Sequence, residues 1–143
     1  MLEVDPSIME KIHSSGEEAY PEEGAGFLLG TDGKVRHVAR VWPLPNIRER
    51  AARQNRYQIS PQDYLEGELE AERSNLALIG IFHSHPDHPN EPSEYDREWA
   101  QPYFSYVITS VKKGKAVASR SWRLTEDRSS FVEEPIFIGQ SND

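Results

Sequence analysis

No cysteine occurs anywhere in the chain. Disulfides, thiolate metal ligands and a cysteine nucleophile are excluded together, so a metal site must be built from histidine, aspartate or glutamate. Long apolar runs are also missing: none approaches the ~18 residues needed to span a bilayer. The first residues, Met1 to Pro6, carry neither a basic head nor an apolar core, so no export signal is expected and a cytoplasmic location follows. Positive charge is scarce. Sixteen Lys and Arg against 24 Asp and Glu give a net charge of -8, which disfavours non-specific attraction to nucleic acid or an anionic membrane. Arg48, Arg50, Arg53 and Arg56 are a local exception and read as a solvated loop. There is no internal repeat, P-loop, dinucleotide fingerprint or His-Glu-x-x-His helix.

What is present fits one domain over residues 1–143. Ser7 to Tyr20 reads as a helix capped by Ser7, with Ile8, Met9, Ile12 and Ala19 near one face, and Pro21 ends it. Gly24 to Gly30 is a short apolar run expected as a buried strand. Asp32-Gly33 then turns into a partner strand, Lys34 to Trp42. Pro43 to Ser60 has no clean period and is the longest expected loop. Ser60-Pro61-Gln62-Asp63 opens a helix to about Arg73, with Ser as cap and Pro at the first position. A strand follows over Leu76 to Ser84, a proline-rich loop over Pro86 to Pro92, and a short helix from Ser93 to about Ala100. Phe104 to Val111 and Ala116 to Leu124 flank Lys113-Gly114 as a hairpin, and Phe131 to Ile138 is a terminal strand or tail. This order predicts a mixed sheet with helices packed on it.

Chemistry concentrates at the end of the strand before the proline-rich loop. Three of the five histidines, His83, His85 and His88, fall within six residues. Side chains two apart on a strand point the same way, so His83 and His85 face one side together and form a natural pair of zinc ligands. Their alternative is two polar residues at a strand end, satisfied by water or a carbonyl. Downstream, Ser93 and Asp96 share the first turn of a helix. Taken alone, Ser-x-x-Asp is better explained as a capping box. A catalytic zinc needs three protein ligands and an open fourth position, which His83, His85 and Asp96 would supply. The accompanying carboxylate base stays open among Glu22, Glu23, Asp87 and Glu91.

Two competing patterns carry less weight. His83-x-His85-x-Asp87-His88 matches the motif of metallo-β-lactamase-like hydrolases, but no histidine follows His88 to complete such a site. Ser110-x-x-Lys113 matches a serine–lysine nucleophile motif without any supporting element.

The residues His83-Ser84-His85-Pro86, the run to Pro92, and Ser93-x-x-Asp96 together resemble the JAMM (MPN+) zinc metalloprotease signature of small bacterial JAB-type domains. Pro21-Glu22-Glu23-Gly24-Ala25-Gly26-Phe27-Leu28-Leu29-Gly30 is similar to its glutamate-and-strand element, and the spacing to Gly26 selects Glu23. Ala25 stands where the family often has a larger residue. The Tyr57-x-Ile59-Ser60-Pro61 and Phe104 to Ile108 segments also look like small bacterial members. The resemblance implies a three-layer αβα domain with a mixed, largely antiparallel sheet, cytidine-deaminase-like. It implies one catalytic zinc on His83, His85 and Asp96, Glu23 as proton carrier, and Ser93 as donor to the oxyanion. Ser84, pointing to the opposite face, is left a supporting role; Asp87 and His88 read as solvated loop residues, with lining of the substrate channel as the alternative.

The same resemblance implies a peptidase or isopeptidase acting at the C-terminal Gly-Gly tail of a ubiquitin-like, sulfur-carrier protein. An extended Gly-Gly tail suits addition beside a narrow site, and the Pro43 to Ser60 loop is placed to hold the carrier. Two other classes remain in view: a metal-dependent amide hydrolase with a small-molecule substrate, and a non-catalytic interaction module of the same fold. The complete ligand set with Glu23 argues against the module.

Overall fold

The computed structural model describes residues 1–44 and 59–139. Arg48, Arg50, Arg53, Arg56 and Tyr57, and with them most of the expected long loop, lie outside the described residues. In chain order the elements are β1 (Leu2–Val4), α1 (Pro6–Ala19), β2 (Ala25–Thr31), β3 (Arg36–Leu44), α2 (Pro61–Arg73), β4 (Ala77–Pro86), α3 (Glu94–Trp99), β5 (Ser105–Lys112), β6 (Lys115–Leu124), β7 (Phe131–Glu134) and β8 (Ile136–Ile138).

The strands form one sheet in the order β7-β6-β5-β4-β2-β3-β1-β8. Pairings β2–β3, β2–β4, β5–β6 and β6–β7 are antiparallel, whereas β1–β3, β1–β8 and β4–β5 are parallel. The sheet is therefore mixed, with antiparallel pairings in the majority, as expected. Strands β7 and β8 are consecutive in the chain but lie at the two ends of the order. The sheet curls until its edges meet at Pro135, whose carbonyl accepts a bond from Leu2 N at 2.9 Å.

Two apolar clusters, one on each face, make the layers. Ile8, Met9 and Ile12 of α1 pack with Leu28, Val38, Ile79, Phe82 and Val107. Ala71 of α2 packs on the other face with Phe27, Leu29, Leu78, Ile81 and Tyr106. Helix α2 approaches closely because Gly67 lies on the Phe27 ring; an added Cβ would sit 2.6 Å from it. A bulge decides which face β4 offers at its far end. Leu28 pairs with Gly80 and Leu29 with Leu78, so Ile79 is the extra residue. Beyond it the alternation resumes, with Ile81 on the α2 face and Phe82 on the α1 face. His83 and His85 follow in phase with Ile81.

Several boundaries differ from the sequence expectation. Helix α1 starts one residue early: Asp5 is the N-cap, without a side-chain cap bond, and Pro6 takes the first turn, where its fixed φ suits a helix and its missing N–H costs nothing. Ala19 is only half-buried. Strand β3 runs to Leu44, so the expected loop does not begin at Pro43. Strand β4 runs through His85 and Pro86 because β5 continues to pair beside them. Ser60 caps α2 through the expected capping box with Asp63. The short strand β1 was not foreseen, and the terminal strand is divided at Pro135, which cannot donate to a ladder.

Candidate metal centre

The site lies at the carboxyl end of β4, where β4 and β5 run parallel and the chain between them forms α3. Crevices at such strand ends are the common ligand sites of open α/β sheets. His83 and His85 come from β4 and Asp96 from the first turn of α3, and all three are buried. His83 Nε2 lies 3.1 Å from His85 Nε2. Asp96 presents Oδ2 to His85 Nε2 at 3.2 Å and Oδ1 to His83 Nε2 at 3.4 Å. The edge of a tetrahedron of zinc ligands at about 2.0–2.1 Å is about 3.3 Å, so the spacing suits one such ion.

Protonation favours the same reading. His85 Nδ1 is 2.8 Å from the Pro89 carbonyl, which can only accept, so Nδ1 carries the hydrogen. In the neutral ring Nε2 is then an acceptor that faces a carboxylate oxygen. Acceptors turned on each other at this distance are the arrangement a cation resolves. Burial pushes the His83 imidazole below its ordinary pKa despite the opposing pull of Asp96, favouring the neutral, ligating form.

Asp96 also keeps the role that the sequence favoured for it in isolation. Its N–H donates to Ser93 Oγ at 3.1 Å, and Ser93 N–H donates to Asp96 Oδ2 at 2.8 Å. Capping box and metal-ligand geometry thus coexist in one carboxylate, and the cap aims it.

A cleft of ≈ 340 Å³ opens beside the cluster, lined by Glu23, His85, His88, Pro89, Glu91, Pro92 and Ser93. Of the four candidate carboxylates, Glu23 and Glu91 reach this cleft. Glu23 is 5% exposed, whereas Glu91 is exposed and pairs with Arg120. Ser84 points to the α1 face, as expected from its place between the histidines. Its Oγ accepts from Gly24 N at 2.9 Å and its N–H donates to Gly24 O at 2.9 Å, which ties the segment bearing Glu23 to β4. Helix α1 tolerates this because Gly16 covers Ser84; an added Cβ there would lie 3.1 Å from the Ser84 Cβ.

The competing motifs dissolve in three dimensions. Asp87 turns away from the cluster, accepting from the Tyr20 hydroxyl at 2.6 Å and from Lys113 N at 2.8 Å. It is exposed, and it links Tyr20 at the end of α1 to the β5–β6 turn. Ser110 Oγ donates to the His88 carbonyl at 2.7 Å, and Lys113 sits in the β5–β6 turn with φ 50°. His88 is exposed and lines the cleft, which fits both readings that the sequence left open for it. Its place there, and the Pro89 carbonyl that orients His85, were beyond the motif pattern. The three prolines packed between His85 and Ser93 were the available signal of a fixed loop.

A mixed α/β sheet with a buried His-His-Asp cluster at a strand end defines the class: an α/β domain with a candidate mononuclear metal centre. More narrowly, the chain belongs to the family of prokaryotic homologs of the JAB domain, whose model matches residues 5–125. The probable TtuB-protein conjugate cleaving protease of Thermus thermophilus is 31% identical over 115 residues, 78% of this chain and 74% of that protein. The desampylase of Pyrococcus furiosus is 30% identical over 120 residues, 84% of this chain and 76% of that one. The crystal structure of a JAB1/MPN domain protein from Archaeoglobus fulgidus shares the fold, with a TM-score of 0.61 at 14% identity and 98% of each chain covered. The fold is thus of JAB/MPN type, as the signature implied.

Proposed function

We propose that the chain is a zinc metallopeptidase that hydrolyses a peptide or isopeptide bond at or near the C-terminal Gly-Gly tail of a ubiquitin-like, sulfur-carrier protein. It does so as a single domain over residues 1–143, in the cytoplasm; no helix among the described residues is long and apolar enough to cross a membrane. The names of the relatives, a TtuB-protein conjugate cleaving protease and a desampylase, support this substrate class. One observation carries the proposal: Glu23 and Ser93 line the cleft into which His85 of the His83–His85–Asp96 cluster opens.

His83 Nε2, His85 Nε2 and the Asp96 carboxylate would hold the zinc, which would supply Lewis-acid polarisation of the scissile carbonyl and lower the pKa of a bound water toward ~7. Glu23 takes the proton of the attacking water as the water oxygen bonds to the carbonyl carbon. It returns that proton to the nitrogen as the C–N bond breaks, so the products are a carboxylate-ended carrier and a free amine. Burial of Glu23 keeps bulk water from competing for this proton. Ser93 Oγ already accepts from Asp96 N, which leaves its hydroxyl hydrogen to donate to the oxyanion of the tetrahedral intermediate.

The test is a carrier joined through its terminal glycine to a lysine side chain, incubated with zinc-loaded protein and followed by intact mass. Wild type releases a carrier ending in a free Gly-Gly carboxylate, and Glu23→Gln with the same zinc content does not. Equal rates for the two proteins would refute the mechanism.

A further inference from the structure

The third ligand rests on an insecure element. Helix α3 has six residues, and a helix that short has almost no stability of its own. Its N-terminus is held by the Ser93–Asp96 capping box. Its C-terminal carbonyls point at another part of the chain, the turn between β6 and β7.

That turn presents a single side chain. Arg128 Nη1 donates to the Ala100 carbonyl at 2.8 Å, and Nη2 reaches those of Glu98 at 3.2 Å and Arg97 at 3.4 Å. The contact is reciprocal, since Arg97 Nη1 donates to the Arg128 carbonyl at 2.9 Å. One guanidinium therefore gathers orphan carbonyls of the last turn of α3, where a cation also complements the helix dipole.

The turn is built to hold it. Asp127 Oδ1 accepts from Thr125 Oγ1, Ser129 Oγ and Ser129 N at 2.7, 2.7 and 3.0 Å. Thr125 N–H donates to the Ser130 carbonyl and Arg128 N–H to the Thr125 carbonyl, both at 2.9 Å. Arg128 itself has φ 64°, a left-handed conformation in which glycine would be the easier residue. A strained arginine at a glycine position points to its side chain as the reason it is there.

We propose that Arg128 is a positioning residue for the metal centre, holding Asp96 in place through the C-terminal carbonyls of α3. This rests on the reading of Asp96 as a zinc ligand. Arg128 touches neither the cluster nor the cleft, so its effect passes through the helix alone. Outer partners that orient ligands typically change metal affinity by about 10–100-fold when removed.

Arg128→Gly isolates the guanidinium, because glycine suits the φ of the turn. Arg128→Lys keeps the charge but offers one donor point in place of the fork. The full-length proteins are stripped of metal and compared by zinc titration, by the visible spectrum of the cobalt-substituted form, and by amide exchange over residues 96–101 without metal. Arg128→Gly is expected to bind zinc about tenfold more weakly, to shift the cobalt bands and to exchange faster in α3. Arg128→Lys should fall between it and wild type. A purely structural role would leave the cobalt bands unchanged. Wild-type zinc affinity and cobalt spectrum in Arg128→Gly overturn the proposal, as do exchange rates over 96–101 that match wild type. If wild type itself binds no zinc, the assignment of the site fails, whereas the clasp is judged by the exchange rates.

Discussion

Two buried polar clusters occupy opposite ends of β4. Near its start, Arg36 is 4% exposed and every contact it makes is complementary. Nε donates to Asp32 Oδ1, Nη1 to the Ile79 carbonyl and Ser105 Oγ, and Nη2 to the Tyr103 carbonyl. Ser105 passes the chain on, donating to Glu134 Oε1, which also accepts from Ser121. Near the strand's far end, the His85 ring and the Asp96 carboxylate turn acceptors on each other at 3.2 Å. Both clusters are expensive to bury. The first is closed on itself and ties β3, β4, β5, β6 and β7 together at one end of the sheet. The second is held by the Ser93 N–H and the Pro89 carbonyl but still sets His85 Nε2 against a carboxylate oxygen, the arrangement that the proposed metal ion would complete.

This contrast can be broken by substitution. The largest effect should come from His83→Ala, which removes a ligand: stoichiometric zinc in the purified protein is lost, while the metal-free fold remains, as mass spectrometry of the metal and circular dichroism would register. Next, Glu23→Gln should keep the zinc and lose about 10²–10⁴-fold in kcat. Arg36→Ala reverses the pattern. It leaves the Ile79 and Tyr103 carbonyls without their donor and should cost about 2–4 kcal/mol in chemical denaturation, with zinc stoichiometry unchanged. Ser93→Ala removes the cap of α3, worth about 1 kcal/mol, and the proposed oxyanion donor, worth about 10²-fold in kcat. A kcat that stays at the wild-type value would reduce Ser93 to a cap.

The smallest effect is the lock's own contribution to the pH dependence of stability. The hydrogen bond from Arg36 leads the effects that hold the Asp32 carboxyl down to about 2, against an ordinary 3.8, with burial opposing. A carboxyl lowered on folding stabilises the folded state above its unfolded pKa and loses that contribution as pH falls through its folded one. Stability should therefore decline between about pH 4 and 2, and Asp32→Asn should flatten that decline. The side chain is 40% exposed, so solvent screening keeps the effect small.

How much of this was legible in the sequence follows from the range of each interaction. His83 and His85 were readable because strand alternation is local, and the capping box was readable for the same reason. That Asp96 is a cap and a ligand candidate at once was not, since the second role depends on β4 lying against α3. Glu23 could be chosen over Glu22 only through the register of a known signature; in the structure the buried Glu23 reaches the cleft. Strand β1 escaped notice because three residues hold no period and its partners, β3 and β8, are distant in sequence. The division at Pro135 was foreshadowed by the proline itself, but nothing local places β7 and β8 on opposite edges. Arg128 carried no local signal, because its partners lie about 30 residues upstream.

The central claim is that the far end of β4 is complementary to one zinc ion and the near end to nothing beyond itself. Zinc per chain, measured by mass spectrometry of the metal in wild type, His83→Ala and Arg36→Ala purified side by side, tests it most directly. One zinc per chain in wild type and Arg36→Ala, with none in His83→Ala, is the predicted result. Tight stoichiometric zinc in His83→Ala, or none in wild type reconstituted with excess zinc, would contradict it.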